Sequence, residues 1–239
     1  MNPMYMNFLK GTALKREDNK AVKNELTGRE VISLPDPGGF SERLVNFLET
    51  VELRGSVREY TGEALTMEEL SYLLWCTQGV KMMLPNGITK RTVPSAGSVH
   101  EFTTYLYIDR VKDLAPGLYM FHAENHELVF LANKEEIEES VLTGFKNEAL
   151  VKTSAATFMW AANLTKMEER FSNRGLRYLF LDAGHIAENL YLAAETLNLG
   201  VCAIGAFYDD ALNAALALDG SKEAVLYAAS VGRRYGGAV

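Results

Sequence analysis

The sequence predicts an α+β fold built around a mostly antiparallel sheet. Strand-like and helix-like segments alternate along its 239 residues without the regular strand–helix–strand rhythm of parallel α/β proteins. Two short strand-like runs flank a polar turn, which indicates a β-hairpin. A long segment, residues 177–199, carries apolar side chains around most of a helical circumference. Such a helix belongs inside a core or a subunit interface.

The chain divides into a leader and one domain. Residues 1–40 are rich in Lys, Asn and Glu and end in the Pro- and Gly-punctuated run Ser33–Phe40. We expect them to be extended or irregular and to wrap a domain over residues 41–239. That domain should open with a helix over Ser41–Val51, since Leu44, Val45, Phe47 and Leu48 share an apolar side.

Local signals place the remaining elements. Thr66 followed by Glu69 is a capping-box pattern ahead of an apolar helix. A second, short helix is expected over Asp209–Leu218. The predicted strands are rich in aromatic, β-branched or small apolar residues: Phe102–Ile108, Gly117–His122, Glu127–Leu131, Thr153–Ala161, Val201–Phe207 and Ala224–Val231.

Composition limits the kinds of partner. Hydrophobic residues make up 48% of the chain and charged residues 23%, as in ordinary globular proteins, and the net charge is -7. An acidic protein is a poor general binder of nucleic acid, although it can still hold one phosphate locally. No stretch is apolar and long enough to span a bilayer. Cys76 and Cys202 lie in apolar segments, so we expect buried, reduced thiols and a cytoplasmic protein without membrane partners.

The common catalytic signatures are absent. There is no G-x-G-x-x-G after a strand, no Walker-type loop, no H-E-x-x-H and no G-x-S-x-G. His122 and His126 are four residues apart, but they flank a hairpin turn rather than sharing a helix face. We therefore expect solvent-facing turn residues there and no metal site.

Four short segments could together bind a flat, phosphorylated ligand. Arg54-Gly55-Ser56-Val57-Arg58 offers two guanidiniums and a hydroxyl to an anion. The loop Pro94–Ser98 has small residues and hydroxyls that allow close approach. The strand-like run Gly200–Phe207 ends in small residues, and Arg233-Arg234 follow the last strand. Each could instead be structural: a solvated basic turn, an ordinary loop, a buried strand end or a solubilising tail.

Taken in order, these segments resemble the nitroreductase family, most closely its SagB-type dehydrogenase branch. The matching patterns are R-x-S-x-R at 54–58, L-x-x-L-L-W-x-x-x-G at 70–79, R-x-x-P-S-A-G-S-x-H at 91–100, P-G-L-Y at 116–119, R-Y-x-x-x-D-A-G-H at 177–185 and L-G-V-x-A-I-G-A-F at 199–207. The resemblance covers residues 51–234. It implies a sandwich of a central, mostly antiparallel sheet and flanking helices, and an interlocked homodimer that binds FMN between its subunits.

The resemblance also implies site residues. Arg54 and Ser56 would bind the FMN phosphate, with Arg58 at the N1/O2 edge of the ring, where a cation stabilises the reduced anion. The neighbouring subunit would contribute Pro94, Ser95, Ala96, Gly97 and Ser98. The strand end Ile204, Gly205 and Ala206 would present amides to N5 and O4. Arg233, with Arg234 beside it, would close the phosphate site.

One departure from the branch bears on the reaction. SagB-type azoline oxidases carry a Lys-Tyr pair shortly before the R-Y of the long helix, where this chain has Arg170-Phe171. Arg and Phe cannot exchange protons at working pH. The sequence therefore favours an enzyme that passes hydride from NAD(P)H through FMN to a small acceptor such as a nitroaromatic or a quinone. A peptide-tailoring azoline dehydrogenase and a non-catalytic flavin-binding homologue are the alternatives.

Overall fold

The computed structural model describes residues 28–40, 45–85 and 87–236. Its strands, in chain order, are β1 (Val31–Ser33), β2 (Val80–Met83), β3 (Thr89–Arg91), β4 (Phe102–Ile108), β5 (Gly117–His122), β6 (Glu127–Asn133), β7 (Ala156–Asn163), β8 (Leu199–Ile204) and β9 (Glu223–Arg233). Seven of them form one sheet in the order β1-β6-β5-β4-β7-β9-β8, and β2 and β3 form a separate hairpin. Every neighbouring pair in the large sheet is antiparallel, which confirms the predicted α+β class.

The helices are α1 (Phe47–Leu53), α2 (Met67–Gln78), α3 (Lys134–Gly144), α4 (Ala149–Thr153), α5 (Leu164–Phe171), α6 (Gly175–Thr196) and α7 (Asp209–Ala215). Thr66 and Glu69 form the predicted capping box at the start of α2. Asn46 caps α1 by accepting hydrogen bonds from two backbone amides of its first turn, so the described part of this helix begins later than predicted. Residues 41–44 lie outside the described residues.

Both faces of the sheet are covered by apolar side chains. On one face, Phe158 and Trp160 of β7 pack with α2 and α6. On the other, Met159 and Ala161 of the same strand pack with α3 and α7. Side chains alternate between the two faces of a strand, so β7 is buried from Ala156 to Ala162 and lies between the two helical layers.

Several predicted boundaries were wrong, for local backbone reasons. The long helix ends at Thr196, because Asn198 adopts the left-handed conformation (φ 58°) that asparagine tolerates at helix ends. Leu199 therefore begins β8 instead of ending the helix. Strand β7 begins at Ala156, since the residues before it form α4. Strand β8 ends at Ile204, which leaves Gly205 and Ala206 beyond the ladder.

Other elements were not predicted at all. They are α3, α4, α5, the hairpin of β2 and β3, and β1 within the predicted leader. Strand β1 pairs with β6 at the sheet edge, with Val31 opposite Val129. Residues 1–27 of the leader lie outside the described residues. Within the described ranges, no helix is both long and apolar enough to cross a membrane.

Candidate functional site

The R-x-S-x-R segment lies along the free edge of the sheet. Arg54 ends α1, and the chain then runs parallel to β8, where Ser56 pairs with Val201 and the Val57 N–H donates to the Val201 carbonyl (2.8 Å). Gly200 makes this approach possible, because a Cβ at that position would lie 2.6 Å from the Val57 side chain. The first and third predicted segments are thereby brought side by side.

Tyr191 on α6 links these two segments, and the sequence analysis did not single it out. The backbone N–H of Ala203 donates to the Tyr191 hydroxyl (2.8 Å), which lies 2.9 Å from Ser56 Oγ. The Arg54 guanidinium stacks 5.4 Å from the centre of the same ring. Because the phenol already accepts from Ala203, its own hydrogen can point to Ser56. The Ser56 hydroxyl then keeps its hydrogen for a ligand.

Arg54 and Arg58 place two positive charges at this edge. Arg54 is half-buried, whereas Arg58 is exposed and donates weakly to the Ser56 carbonyl (3.4 Å). No carboxylate of the described residues lies at ion-pair distance from either guanidinium. Burial raises the pKa of the Cys202 thiol, and the positive charge of Arg58 opposes that rise. Because no described carboxylate is paired with either guanidinium, both arginines are available to an anion.

The strand end and the C-terminal arginines complete this edge. Gly205 and Ala206 are exposed immediately after β8, so their backbone can be approached by a ligand. Arg233, in contrast, donates to both carboxylate oxygens of Glu69 (2.9 and 2.8 Å). Arg234 makes the same kind of paired contact with Glu195 (3.1 and 2.9 Å). Both C-terminal guanidiniums thus have acidic partners already, and the predicted phosphate role of Arg233 would require its pair to open.

The loop Pro94–Ser98 is held by α6 and α5. The buried carboxylate of Asp182, another residue that the sequence analysis did not single out, accepts from the Ala96 N–H (3.2 Å). Burial raises the pKa of Asp182, and hydrogen bonds from Ser95 and Ala96 oppose the rise. Gly97 has φ 60°, and a Cβ there would lie 3.1 Å from the Phe171 ring, so only glycine fits.

Within one chain the loop and the edge segment lie on different parts of α6. Asp182 and Tyr191 are 191 − 182 = 9 residues apart, which is about 13 Å along a helix and half a turn from one face to the other. The structure thus brings Arg54, Ser56, Arg58 and the strand end together, and it holds the loop elsewhere. A role of the loop at a neighbouring subunit's flavin stays a prediction.

The histidine pair is not the solvent-facing turn that we expected. His126 is half-buried, its Nε2 lies 2.7 Å from the buried Ser71 hydroxyl, and its ring packs edge-on against Trp75 and Phe121. Burial lowers its pKa. Among the described residues, no group of three His, Cys, Asp or Glu side chains could hold a metal ion. Both cysteines are free thiols, with Cys202 buried and Cys76 half-buried.

Known proteins show the same fold and sequence pattern. A protein of Methanocaldococcus jannaschii assigned as a nitroreductase is 34% identical over 181 residues, which cover 76% of this chain and 87% of that protein. The crystal structure of a Ralstonia eutropha protein with the same assignment has a TM-score of 0.71 and 25% identity, over 94% of this chain and 98% of that one.

A more distant structure shares the fold alone. It is the NADPH:FMN oxidoreductase of Vibrio harveyi complexed with NAD+, with a TM-score of 0.56 and 17% identity over 81% of this chain and 70% of that one. The pattern of the nitroreductase family itself matches residues 51–233, a range that begins in α1 and ends with β9. With residues 51–233 matched by the family pattern and a relative 34% identical over 76% of its length, the chain belongs to the nitroreductase family.

Proposed function

We propose that this nitroreductase-family oxidoreductase binds FMN and passes hydride from NAD(P)H, through the flavin, to a small acceptor such as a nitroaromatic or a quinone. The observation that carries the proposal is the edge cradle, which we define as Arg54, Ser56, Arg58 and the strand end Ile204–Ala206. Two guanidiniums that lie at ion-pair distance from no described carboxylate are beside the Ser56 hydroxyl, which can donate to a ligand when Tyr191 donates to it. This combination suits a phosphate monoester.

The residues of the cradle would divide the work of holding the cofactor. Arg54 and Ser56 would bind the phosphate, and Tyr191 would orient Ser56. Arg58 would place positive charge at the N1/O2 edge, and the amides of Gly205 and Ala206 would serve N5 and O4. When bound, FMN supplies the hydride-transfer chemistry, while these side chains bind and orient it and adjust its potential. This division accounts for the absence of an acid–base pair from the predicted site.

The nucleotide type follows from the number of phosphate sites. Among the described residues, the edge cradle offers one cluster of guanidiniums without acidic partners, Arg54 and Arg58, which suits one phosphate. The sequence has no glycine-rich turn that would bind the phosphate of a second nucleotide. FMN is therefore favoured over FAD. The name of the Vibrio harveyi protein, NADPH:FMN oxidoreductase, supports the same pairing of flavin and donor.

A homodimer is part of the proposal. On α1 and just before it, Phe47 is 70% exposed and Leu48 65%, with Val45 and Val51 also exposed. Phe180 and Leu181 are exposed on α6. A shallow apolar groove lies between these helices, lined by Tyr72 and Leu192 among others. A second copy of the chain would cover this surface, and its Pro94–Ser98 loop would reach the flavin of its neighbour.

Azoline oxidation is disfavoured by what Arg170 and Phe171 contact. The Arg170 guanidinium donates to the Gly97 carbonyl (3.5 Å), and the Phe171 ring packs against Tyr178 and Gly97. These contacts support the loop Pro94–Ser98, and neither side chain can move a proton. The pair therefore has a packing role that explains it without proton transfer.

Purification followed by cofactor analysis tests the proposal. We expect a yellow protein that releases one FMN per chain, as identified by mass spectrometry. Anaerobic NADH or NADPH should bleach the flavin, and a nitroaromatic or quinone should restore its colour. FAD, a colourless protein, or a flavin that neither nucleotide reduces would overturn it. Light scattering of the FMN-loaded protein should give the mass of two chains, and a stable FMN-loaded monomer would contradict the dimer.

A further inference from the structure

A second cleft, separate from the edge cradle, opens beside the middle strands of the sheet. Its volume is about 500 Å³, within the range of small-molecule sites. It lies between the β2–β3 hairpin, the first residues of β4, the last residues of β5, and α5. Phe102, Phe121 and Val99 supply apolar walls. The residues at its floor are Gln78, Arg91 and Thr104, none of which has a role in the proposed cofactor site.

The floor carries two buried polar atoms that lack partners. Gln78 is 1% exposed and Thr104 is 2% exposed. Within the described part of the chain, neither Gln78 Nε2 nor Thr104 Oγ1 makes a hydrogen bond. Leaving such a group buried and unsatisfied costs free energy, so native proteins keep few of them without a reason. Both residues line the cleft, where a ligand could satisfy them.

Arg91 adds a positive charge to the same floor. Its Nη1 donates to Gln78 Oε1 (2.9 Å), which fixes the orientation of the amide and leaves the NH₂ group as the free donor. Burial lowers the pKa of Arg91, yet arginine stays charged at neutral pH. Glu124 and Glu101 oppose that fall in pKa, but no described carboxylate reaches ion-pair distance from the guanidinium. Arg91 is half-buried, and a partly desolvated cation without an anionic partner is unfavourable.

The surrounding charges favour an anion at the floor. The pKa of His100 is lowered to about 4 by burial and by the positive charges of Arg91 and Lys90, so its ring is neutral at neutral pH. Three acids line the cleft: Lys166 lies 3.3 Å from Glu101, Asn163 donates to Glu223 (3.3 Å), and Glu124 is exposed to solvent, where its charge is screened. The floor therefore offers the Gln78 NH₂ group, the Arg91 guanidinium and the Thr104 hydroxyl, each of which can donate to an anion.

We propose that this cleft binds a small carboxylate with an apolar body. Arg91, Gln78 Nε2 and the Thr104 hydroxyl would hold the carboxylate, and Phe102 and Phe121 would contact the apolar part. The donors match the acceptor-only character of an ionised carboxylate. The assignment does not rest on the proposed flavin reaction, because none of these residues belongs to the edge cradle.

Calorimetric titration tests the assignment. The FMN-saturated protein is titrated with 3-phenylpropionate and with a short series of aryl and alkyl carboxylates. Each acid is paired with its neutral amide. We expect one carboxylate per chain and binding of the amides at least about tenfold weaker, since a charge-assisted bond is lost. Equal affinity for acids and amides, competition with FMN, or no binding by any member at millimolar concentration would overturn it.

Three substitutions locate the binding. Arg91→Met should weaken the carboxylate about tenfold or more, and Thr104→Val a few-fold. Thr104→Val is near-isosteric and removes an unpaired hydroxyl, so the thermal unfolding midpoint of this variant should not fall. It therefore keeps the test valid if the Arg91→Met protein does not fold. Thr157→Val is the matched control, because the buried Thr157 hydroxyl is 3.1 Å from Ser154 Oγ and outside the cleft. Unchanged affinity in Thr104→Val, or weakening by Thr157→Val as well, would contradict the assignment.

Discussion

Two pairs of arginines lie near the β8–β9 edge of the sheet and differ in their partners. Arg54 and Arg58 have no acidic partner at ion-pair distance among the described residues, and Arg54 stacks on the Tyr191 ring instead. Arg233 and Arg234 follow one another at the end of β9, and each makes two hydrogen bonds to a glutamate. The first pair can accept an anion as it is, whereas the second must first give up a carboxylate.

The difference shows what a basic motif can and cannot indicate. All four residues look equivalent in the sequence, because a guanidinium suits a phosphate and a carboxylate equally well. Glu69 lies 164 residues before Arg233 in the sequence, so only the fold reveals that the Glu69 carboxylate is paired with the Arg233 guanidinium. Arginines without an acidic partner indicate a ligand site, whereas arginines that are paired with a glutamate stabilise the fold.

The largest effect is expected from Arg54→Ala. FMN should bind about ten- to a hundredfold more weakly, because a charge-assisted bond to the phosphate contributes about 1.5–3 kcal/mol. Loss of the contact with Tyr191 should lower the free energy of unfolding by less than about 1 kcal/mol. Fluorescence titration of the apoprotein with FMN measures the affinity, with Arg234→Ala as the matched control. Equal losses of FMN affinity in Arg54→Ala and Arg234→Ala would contradict the assignment of only the first pair of arginines to the ligand.

Arg58→Ala should act on the flavin potential more than on affinity. Without the cation near N1/O2, the reduced anion is less stable, and the midpoint potential should become about 20–40 mV more negative (about 30 mV corresponds to 1.4 kcal/mol for a two-electron couple). Spectroelectrochemical titration checks this. Arg58→Lys keeps the charge and should recover most of the shift. An unchanged potential in Arg58→Ala would mean that the guanidinium is only a solvated side chain.

The fold was largely predictable where a short-range pattern decides the structure. Strands β4 and β5 have the predicted bounds, since Glu101 and Asp109 flank the run of β4, while Pro116 precedes β5 and a polar turn begins shortly after it. The Thr66 and Glu69 capping box needs only residues three apart. Helix α5 was missed because its residues, LTKMEERF, directly follow the buried strand β7 without a glycine or proline between them. There the turn is made by Asn163, which ends the strand and caps the helix.

The candidate site was less predictable, because its supporting contacts are long-range. Tyr191 lies among apolar residues of α6, where its hydroxyl has no visible purpose until Ser56 and Ala203 are placed beside it. Asp182 is likewise a buried carboxylate of α6 whose partner, the Ala96 N–H, lies in a distant part of the sequence. A polar group in the middle of an apolar helical face is the only signal that could have singled out either residue, since such groups need a partner when buried.

Arg233→Ala should separate folding from binding. If its pairing with Glu69 persists when FMN is bound, the FMN dissociation constant should change less than about threefold. Loss of a partly exposed ion pair should lower the free energy of unfolding by about 0.5–1 kcal/mol, as measured by urea denaturation. Glu69→Gln should give a similar loss of stability. A weakening of FMN comparable to that of Arg54→Ala would show that the pair opens and that Arg233 closes the phosphate site, as the sequence predicted.

Among the variants expected to weaken FMN binding, the smallest effect should come from Tyr191→Phe, which keeps the ring under Arg54 and removes only the hydroxyl between Ser56 and Ala203. Ser56 would then lose the contact that orients it, and FMN should bind about two- to fivefold more weakly, as for one neutral hydrogen bond. In the double variant with Arg54→Ala, the loss of FMN binding free energy should be smaller than the sum of the two single losses, because both residues act on the phosphate. Tyr178→Phe removes a hydroxyl from the same helix outside the cradle and should leave affinity unchanged. If Tyr191→Phe also binds FMN like the unsubstituted protein, Ser56 is oriented by the backbone of β8 alone, and Tyr191 is only a packing residue.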